Sequence, residues 1–269
     1  MEITVLTVLM LLGVGLVAGI TAGFIGVGGG IIMVPVLLEL FRVWDIPAEI
    51  MVQAAMGTSL AVATFSTASS AFRHHKQENV LWKLVPLLAI FSFAGSWLAS
   101  ALSITIPGVI LQISLAVILL LIAVKMYFDP PAPDREMKNL SVISWILLGF
   151  FVGAFAGLTG LAGGVVLIPA MAFFAYVPVR NLAGTSSAVV CFSSFASALQ
   201  KLTAAPSVDP GAGFVGFVNV VVVLALVITS IPGAQLGAKL NQKAGSTLYK
   251  RIFALLLVAV VVRLMLTAR

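Results

Sequence analysis

Charge is what this chain is short of. Charged residues make up 9% of its 269 positions, against about a quarter in a soluble domain. Cysteine is nearly absent: Cys191 stands alone, which excludes an internal disulfide and a thiolate metal cluster. The two histidines, His74 and His75, adjoin in a basic stretch with no other ligand type grouped around them, so no metal site is expected. No catalytic dyad, Walker loop or acid pair is present, and neither is a Gly-x-Gly-x-x-Gly set between a strand and a helix. No enzyme activity and no cofactor are expected. The apolar N-terminal run has no basic region before it, so no cleaved signal peptide is expected. The net charge of +6 is small and lacks a clustered basic arm, which argues against nucleic acid as a partner.

What the chain has in excess is apolar residues, 61% of the total. That composition specifies a polytopic membrane protein with the lipid bilayer as solvent, and the length leaves room for about ten spans of roughly 20 residues.

One stretch organises the rest: Gly23-Phe24-Ile25-Gly26-Val27-Gly28-Gly29-Gly30, followed by Pro35. It lies between two apolar runs, where a helix would otherwise continue. Glycine costs about 1 kcal/mol per residue in a helix and permits left-handed backbone. The stretch reads as helix, break, new helix. A helix that begins inside a membrane has free N–H groups and the positive dipole end at its start, which together suit an anion.

The stretch occurs twice. Gly15, Gly19, Gly23, Gly26, Gly29, Gly30 and Pro35 recur as Gly149, Gly153, Gly157, Gly160, Gly163, Gly164 and Pro169, at a constant offset of 134 (149 − 15). Gly28 alone changes, to Ala162. Further on, Gly57-Thr58-Ser59 matches Gly184-Thr185-Ser186 at an offset of 127 (184 − 57), and Gly95 matches Gly233 and Lys125 matches Arg263 at 138. Paired broken segments in two halves are the sequence mark of a transporter site.

The pattern gives helices over 3–25, 30–41, 48–72, 82–103 and 106–127, then 140–158, 164–177, 181–200, 214–238 and 247–267. Residues 73–79 read as a basic loop and 201–213 as a second loop. The fold class is therefore an all-α polytopic membrane protein built of two homologous inverted repeats of about five helices each. Gly-broken or re-entrant helices lie near the midplane. The first repeat spans 1–128, a charged cytoplasmic linker 129–139, and the second repeat 140–269. Each half has an odd number of crossings, so homologous halves must be inverted. Arg73, Lys76, Lys83, Lys125, Arg135, Lys138, Lys239, Lys243, Lys250 and Arg251 fall on one side. By the positive-inside rule that side is cytoplasmic, and both termini face outward from the plasma (inner) membrane. Arg42, Arg263 and Arg269 go against the rule, and Lys201 is the one basic residue of the opposite loops.

Candidate ligands for a small anionic substrate are Gly28, Gly29, Gly30, Gly163 and Gly164 through their backbone. Side-chain candidates are the hydroxyls of Thr58, Ser59, Thr185, Ser186 and Ser187, which donate to oxyanions without carrying charge. Gln53 adds an amide one turn before Gly57, and its repeat counterpart is Arg180. Gly23, Gly26, Pro35, Gly157, Gly160 and Pro169 are hinge or structural positions. Glu39 is the most membrane-proximal acid and the one obvious carrier for a coupling proton, although a place at the interface beside Arg42 suits it as well. His74 and His75 read as part of a solvated loop, and Cys191 as packing. A homo-oligomer is compatible with this pattern.

The duplicated Gly-x-Gly-Gly-Gly-x-x-x-x-Pro stretch with the later Gly-Thr-Ser resembles the TauE/SafE sulfite exporter family, over essentially the full length. In this chain the motif is Gly26 to Pro35 with Gly57-Thr58-Ser59, copied with Ala162 at Gly160 to Pro169 with Gly184-Thr185-Ser186. The resemblance implies a secondary transporter exporting sulfite, sulfoacetate or related organosulfonates by alternating access. A channel-like anion pore, a transporter of a different small anion and a membrane subunit without transport are the other readings.

Overall fold

The computed structural model describes residues 4–106 and 140–244, together with Val117, Leu120, Met137, Lys138, Leu255 and Val258. Apart from those isolated positions, the expected spans 106–127 and 247–267 and the linker 129–139 lie outside the described residues. So do Lys125, Arg135, Lys250, Arg251, Arg263 and Arg269. Within the described residues are eight helices and one small hairpin. They are α1 Val5–Ile25, α2 Gly30–Val43, α3 Ala48–Lys76 and α4 Val85–Ser103. After the linker come α5 Val142–Thr159, α6 Gly164–Phe174, α7 Val179–Thr203 and α8 Val220–Lys243. Strands β1 Phe214–Val215 and β2 Val218–Asn219 pair antiparallel ahead of α8. Six of the helices are long and apolar enough to cross a membrane.

Caps and breakers set the ends. Thr4 Oγ1 accepts from Thr7 N–H to start α1, Ser141 Oγ accepts from Ser144 N–H to start α5, and Asn219 Oδ1 accepts from Val222 N–H to start α8. Each side-chain cap satisfies one orphan donor of a first turn. At the other end, α1 and α5 stop at Gly26 and Gly160, both in the left-handed region with φ of 91° and 72°. In Pro35 and Pro169 the sixth residue of α2 and of α6 lacks an N–H, which removes one helical hydrogen bond in each.

Helices α3 and α7 form the centre. They run antiparallel: Ser70 Oγ meets Ser187 Oγ at 2.8 Å, Gly184 abuts His74, and Gly57 abuts Lys201. Their small and hydroxyl residues permit that close approach, as in other membrane helix pairs. Helix α8 packs on α1 and α4 on α5, each through a glycine row. Gly15, Gly19 and Gly23 of α1 face the backbone of Leu226, Ser230 and Ala234, while Gly149, Gly153 and Gly157 of α5 face that of Leu88, Ser92 and Ser96. Gly23 and Gly157 are thus packing residues inside helices, and the turning is done by Gly26 and Gly160. The outer faces are apolar: Val5, Leu6, Leu147, Phe151, Leu224 and Ile228 are all more than 60% exposed. That is the arrangement expected where lipid is the solvent.

Three boundaries depart from the sequence reading. Helix α3 runs on to Lys76, so the expected basic loop is its last turn, and His74 is fully buried rather than solvated. Helix α7 extends to Thr203, so Lys201 is a buried helical residue and not a loop charge. The apolar run from 214 opens with the hairpin instead of a helix, because Gly213 and Gly216 take left-handed φ of 83° and 57°. In the first two cases one residue of the added turn finds partners across the bundle: His74 on Gly23 O, and Lys201 on Gln53 and Ser103.

Candidate functional site

The two breaks meet at the centre of the molecule. Gly26, Gly28 and Gly29 have φ of 91°, 86° and 76°, and Gly160, Ala162 and Gly163 have φ of 72°, 62° and 71°. The same three turns are thus made twice, and Ala162 makes one of them with a side chain, in a region that costs an L-residue about 1–2 kcal/mol. A Cβ at Gly28 would lie 2.6 Å from Ala162 Cβ, so the two breaks touch there. Thr67 of α3 and Val190 of α7 border the contact.

The serines of the Gly-Thr-Ser motifs reach across to the opposite break. Ser186 Oγ donates to Gly26 O at 2.7 Å, and Ser59 Oγ to Gly160 O at 3.5 Å. A Cβ at Gly30 would be 3.2 Å from Ser59 Oγ, and one at Gly164 would be 3.1 Å from Ser186 Oγ. Ser59 and Ser186 therefore sit at the helix starts and hold a carbonyl left over by the preceding helix end. The first N–H bonds in α2 run from Ile32 and Met33 to Gly29 O, and their equivalents in α6 from Val166 and Leu167 to Gly163 O. Among the described residues no acceptor is found for the N–H groups of Gly28, Gly29, Gly30 and Ile31.

The threonines do something else. Thr58 Oγ1 accepts from Asn219 N–H and Thr185 Oγ1 from Leu81 N–H, both at 3.0 Å. Each ties down the segment that follows a central helix: the hairpin in one case, residues 79–81 in the other. Both are fully buried. Because α3 and α7 are antiparallel and Thr185 follows Gly184, which abuts His74, Thr58 and Thr185 are about 24 Å apart along α3 at 1.5 Å per residue. Ser187, by contrast, is engaged with Ser70 at 2.8 Å. The structure thus gathers Gly28, Gly29, Gly30, Gly163, Gly164, Ser59 and Ser186 around the breaks, and places Thr58 and Thr185 toward opposite ends.

A polar cavity of about 370 Å³ lies where α3 and α8 end and α7 begins, lined by Gln77, Asn79, Val179, Arg180, Asn241, Gln242 and Ala244. Arg180 is at its rim. Both amide atoms of Gln77 are buried without a partner, as is Arg73 Nε one turn earlier. Asn241 Nδ2 donates to Phe24 O at 2.7 Å, and His74 Nε2 donates to Gly23 O at 3.0 Å. The first bond joins the cavity wall, and the second joins α3, to the end of α1 immediately before the first break. Lys76, Lys239 and Lys243 are carried by the same ends of α3 and α8.

At the far end of α7 the fully buried Lys201 donates through Nζ to Gln53 Oε1 at 2.5 Å and to Ser103 Oγ at 2.7 Å. Gln53 Nε2 donates to Ser103 O at 2.6 Å. Gln53 therefore belongs to a lysine cluster, some 32 Å along α7 from its repeat counterpart Arg180 at 1.5 Å per residue. Glu39 is on neither site: it pairs with Arg42 Nη1 at 3.0 Å, with Arg42 exposed and Glu39 half-exposed. Lys201 is the functional candidate that sequence reading passed over. The signal was there, since the 127 offset that pairs Gly57 with Gly184 also pairs His74 with Lys201.

The family described as Sulfite exporter TauE/SafE matches residues 11–264. This chain belongs to the TauE/SafE family. It is 32% identical to a probable membrane transporter protein of Methanocaldococcus jannaschii over 238 residues, 87% of this chain and 86% of that one. A probable membrane transporter protein of Haemophilus influenzae is 26% identical over 262 residues, covering 96% and 98% of the two chains. The probable membrane transporter protein YunE of Bacillus subtilis is 26% identical over 264 residues, covering 91% and 93%. No solved structure matches. The TauE/SafE chain is a multi-pass membrane transporter for a small molecule, and its duplicated breaks are the part of it that a lipid-facing helix bundle does not require.

Proposed function

We propose that this TauE/SafE transporter exports a small sulfur-containing anion such as sulfite, sulfoacetate or a related organosulfonate, by alternating access around the two breaks. The observation that carries the reading is the meeting of the breaks at Gly28 and Ala162, with Ser59 and Ser186 each holding a carbonyl of the opposite half. Two helix starts at one point, the first with the Gly28 to Ile31 N–H groups open and the second with Gly164 N–H turned back to Ala162 O at 2.9 Å, supply donors for an oxyanion and no fixed charge that would prevent its release. Movement of one half against the other changes those reciprocal contacts together.

In this reading the halves 1–128 and 140–269 are inverted repeats joined by a cytoplasmic linker, and both termini face outward from the inner membrane. The polar cavity under Arg180 is the cytoplasmic mouth. Arg180, Gln77 and Asn79 receive the anion there, and His74 and Asn241 line the way to the first break. An inside-negative potential drives anion exit at about 2.3 kcal/mol per charge per 100 mV, so export needs no coupling ion.

The test is binding by purified protein. Thermal stabilisation is measured across sulfite, thiosulfate, sulfoacetate, sulfate and carboxylate controls, since a ligand of the folded state raises the melting point by mass action. A shift with one or more sulfur oxyanions and none with carboxylates is expected. Equal silence to every sulfur anion overturns the substrate class.

A further inference from the structure

We propose that Lys201 supplies the positive charge of a second anion subsite, in which a translocated oxyanion is held by the Lys201 ammonium, the Gln53 amide and the Ser103 hydroxyl. The proposal rests on the reading of this chain as an anion carrier. It adds a site at the opposite end of the bundle from the cavity under Arg180.

Lys201 is fully buried in a candidate membrane span. It lies in the last turn of that helix, where a fully buried ionisable side chain is costly unless it has a partner or serves a pathway. Its hydrogen-bond partners are neutral, Gln53 Oε1 and Ser103 Oγ, and Phe217 presents its ring 5.4 Å from Nζ. Among the described residues the one ion pair is Arg42 with Glu39, so no carboxylate among them neutralises Lys201. A purely structural role would be filled better by an apolar residue of the same length, because a buried charge rewards the fold only when it is paired. A buried lysine with neutral partners gains its charge at a cost that an incoming anion offsets, and the cluster leaves that counter-charge to be supplied.

The ligand class follows from the donors. An ammonium has three N–H groups, and two are engaged. The Gln53 amide and the Ser103 hydroxyl beside it donate to the carbonyls of Ser103 and Ser100, and a ligand takes over those donors. Together they fit a compact oxyanion of the kind proposed for the breaks. The cover is the β1–β2 hairpin. Phe217 N–H donates to Lys201 O at 2.9 Å and Asn219 N–H to Thr58 Oγ1 at 3.0 Å, so the hairpin closes over the lysine from outside. Release of the hairpin opens the subsite to that face of the protein. The arrangement at the other end is similar in outline, since His74 also is fully buried on a glycine of the facing helix.

The experiment compares wild-type full-length protein with Lys201→Met and Lys201→Arg in proteoliposomes, measuring saturable flux of sulfite and of sulfoacetate. Lys201→Met is expected to lower flux at least tenfold while its ligand-free melting temperature equals or exceeds that of wild type. Lys201→Arg is expected to keep measurable flux with an altered KM. Wild-type flux and KM in Lys201→Met overturn the subsite and leave the carrier reading standing. Absence of sulfite and sulfoacetate flux in the wild type removes the carrier reading and the subsite with it. Should Lys201→Met not fold, wild-type protein is acetylated and the labelling of Lys201 is read by mass spectrometry, with exposed Lys76 as internal standard. Whichever of sulfite and sulfoacetate is transported is expected to slow labelling of Lys201 severalfold relative to chloride. Equal labelling overturns the proposal.

Discussion

Gly28 and Ala162 are equivalent positions of the duplicated break, and in the folded chain they are in contact: a Cβ on Gly28 would stand 2.6 Å from Ala162 Cβ. The single glycine lost between the two copies is therefore explained by space. One side chain fits between the breaks and two do not. The backbone at both positions is left-handed, φ 86° and 62°, so the residue carrying the Cβ also bears the conformational cost.

Gly28→Ala is accordingly expected to destabilise the protein by about 2–4 kcal/mol, from overpacking and left-handed strain together. Ala162→Gly alone should be close to neutral. The exchanged double variant, Gly28→Ala with Ala162→Gly, is expected to recover most of the loss. Melting temperatures in detergent measure all three. A double variant no better than Gly28→Ala would show that the contact does not explain the asymmetry.

Removing the Ser186 hydroxyl leaves the buried Gly26 carbonyl without its 2.7 Å donor, whereas Ser59 reaches Gly160 O only at 3.5 Å. Loss of a partner from a buried acceptor costs about 1–3 kcal/mol. Ser186→Ala should therefore lower stability more than Ser59→Ala does. Denaturation of the two variants side by side checks the order.

Arg180 stands at the rim of the polar cavity, where its charge can raise the local anion concentration but is open to screening. Arg180→Gln is expected to raise KM severalfold with little change in maximal flux, and the difference from wild type should shrink as salt is raised. Loss of maximal flux with unchanged KM would place Arg180 in the conformational cycle instead.

Glu39 is paired with Arg42 on an exposed helix face, and such pairs contribute about 0–1 kcal/mol. Glu39→Gln should fold normally and transport within about twofold of wild type across pH, since no part of the central site touches it. A pH dependence abolished by that substitution would establish Glu39 as a proton carrier.

Much of the architecture is local enough to be written in the sequence. The breaks at Gly26–Gly30 and Gly160–Gly164 could be read because glycine is the residue that leaves a helix cheaply, and their repetition with Pro35 and Pro169 marked them as paired. Helices α1, α2, α4 and α5 start and stop close to where apolar runs and caps place them. His74 and Lys201 are buried against the sequence reading because charge is a poor guide once burial is in question, while His75 and Lys76 are exposed as expected. Whether Lys201 begins a loop or ends a helix depends on Gln53 and Ser103, which are 148 and 98 residues away in the chain.

By itself, then, the sequence determined that this chain crosses a membrane many times, that it turns sharply at two matched points, and which residue types attend those turns. Composition and short-range backbone preference suffice for that. Tertiary structure decided which hydroxyl serves which turn. It sent Ser59 and Ser186 to the opposite break, gave Thr58 and Thr185 to the loops, and moved Gln53 away from the centre to a buried ammonium. Those assignments depend on how antiparallel α3 and α7 register against each other, a property of packed side chains distant in sequence that no local pattern encodes.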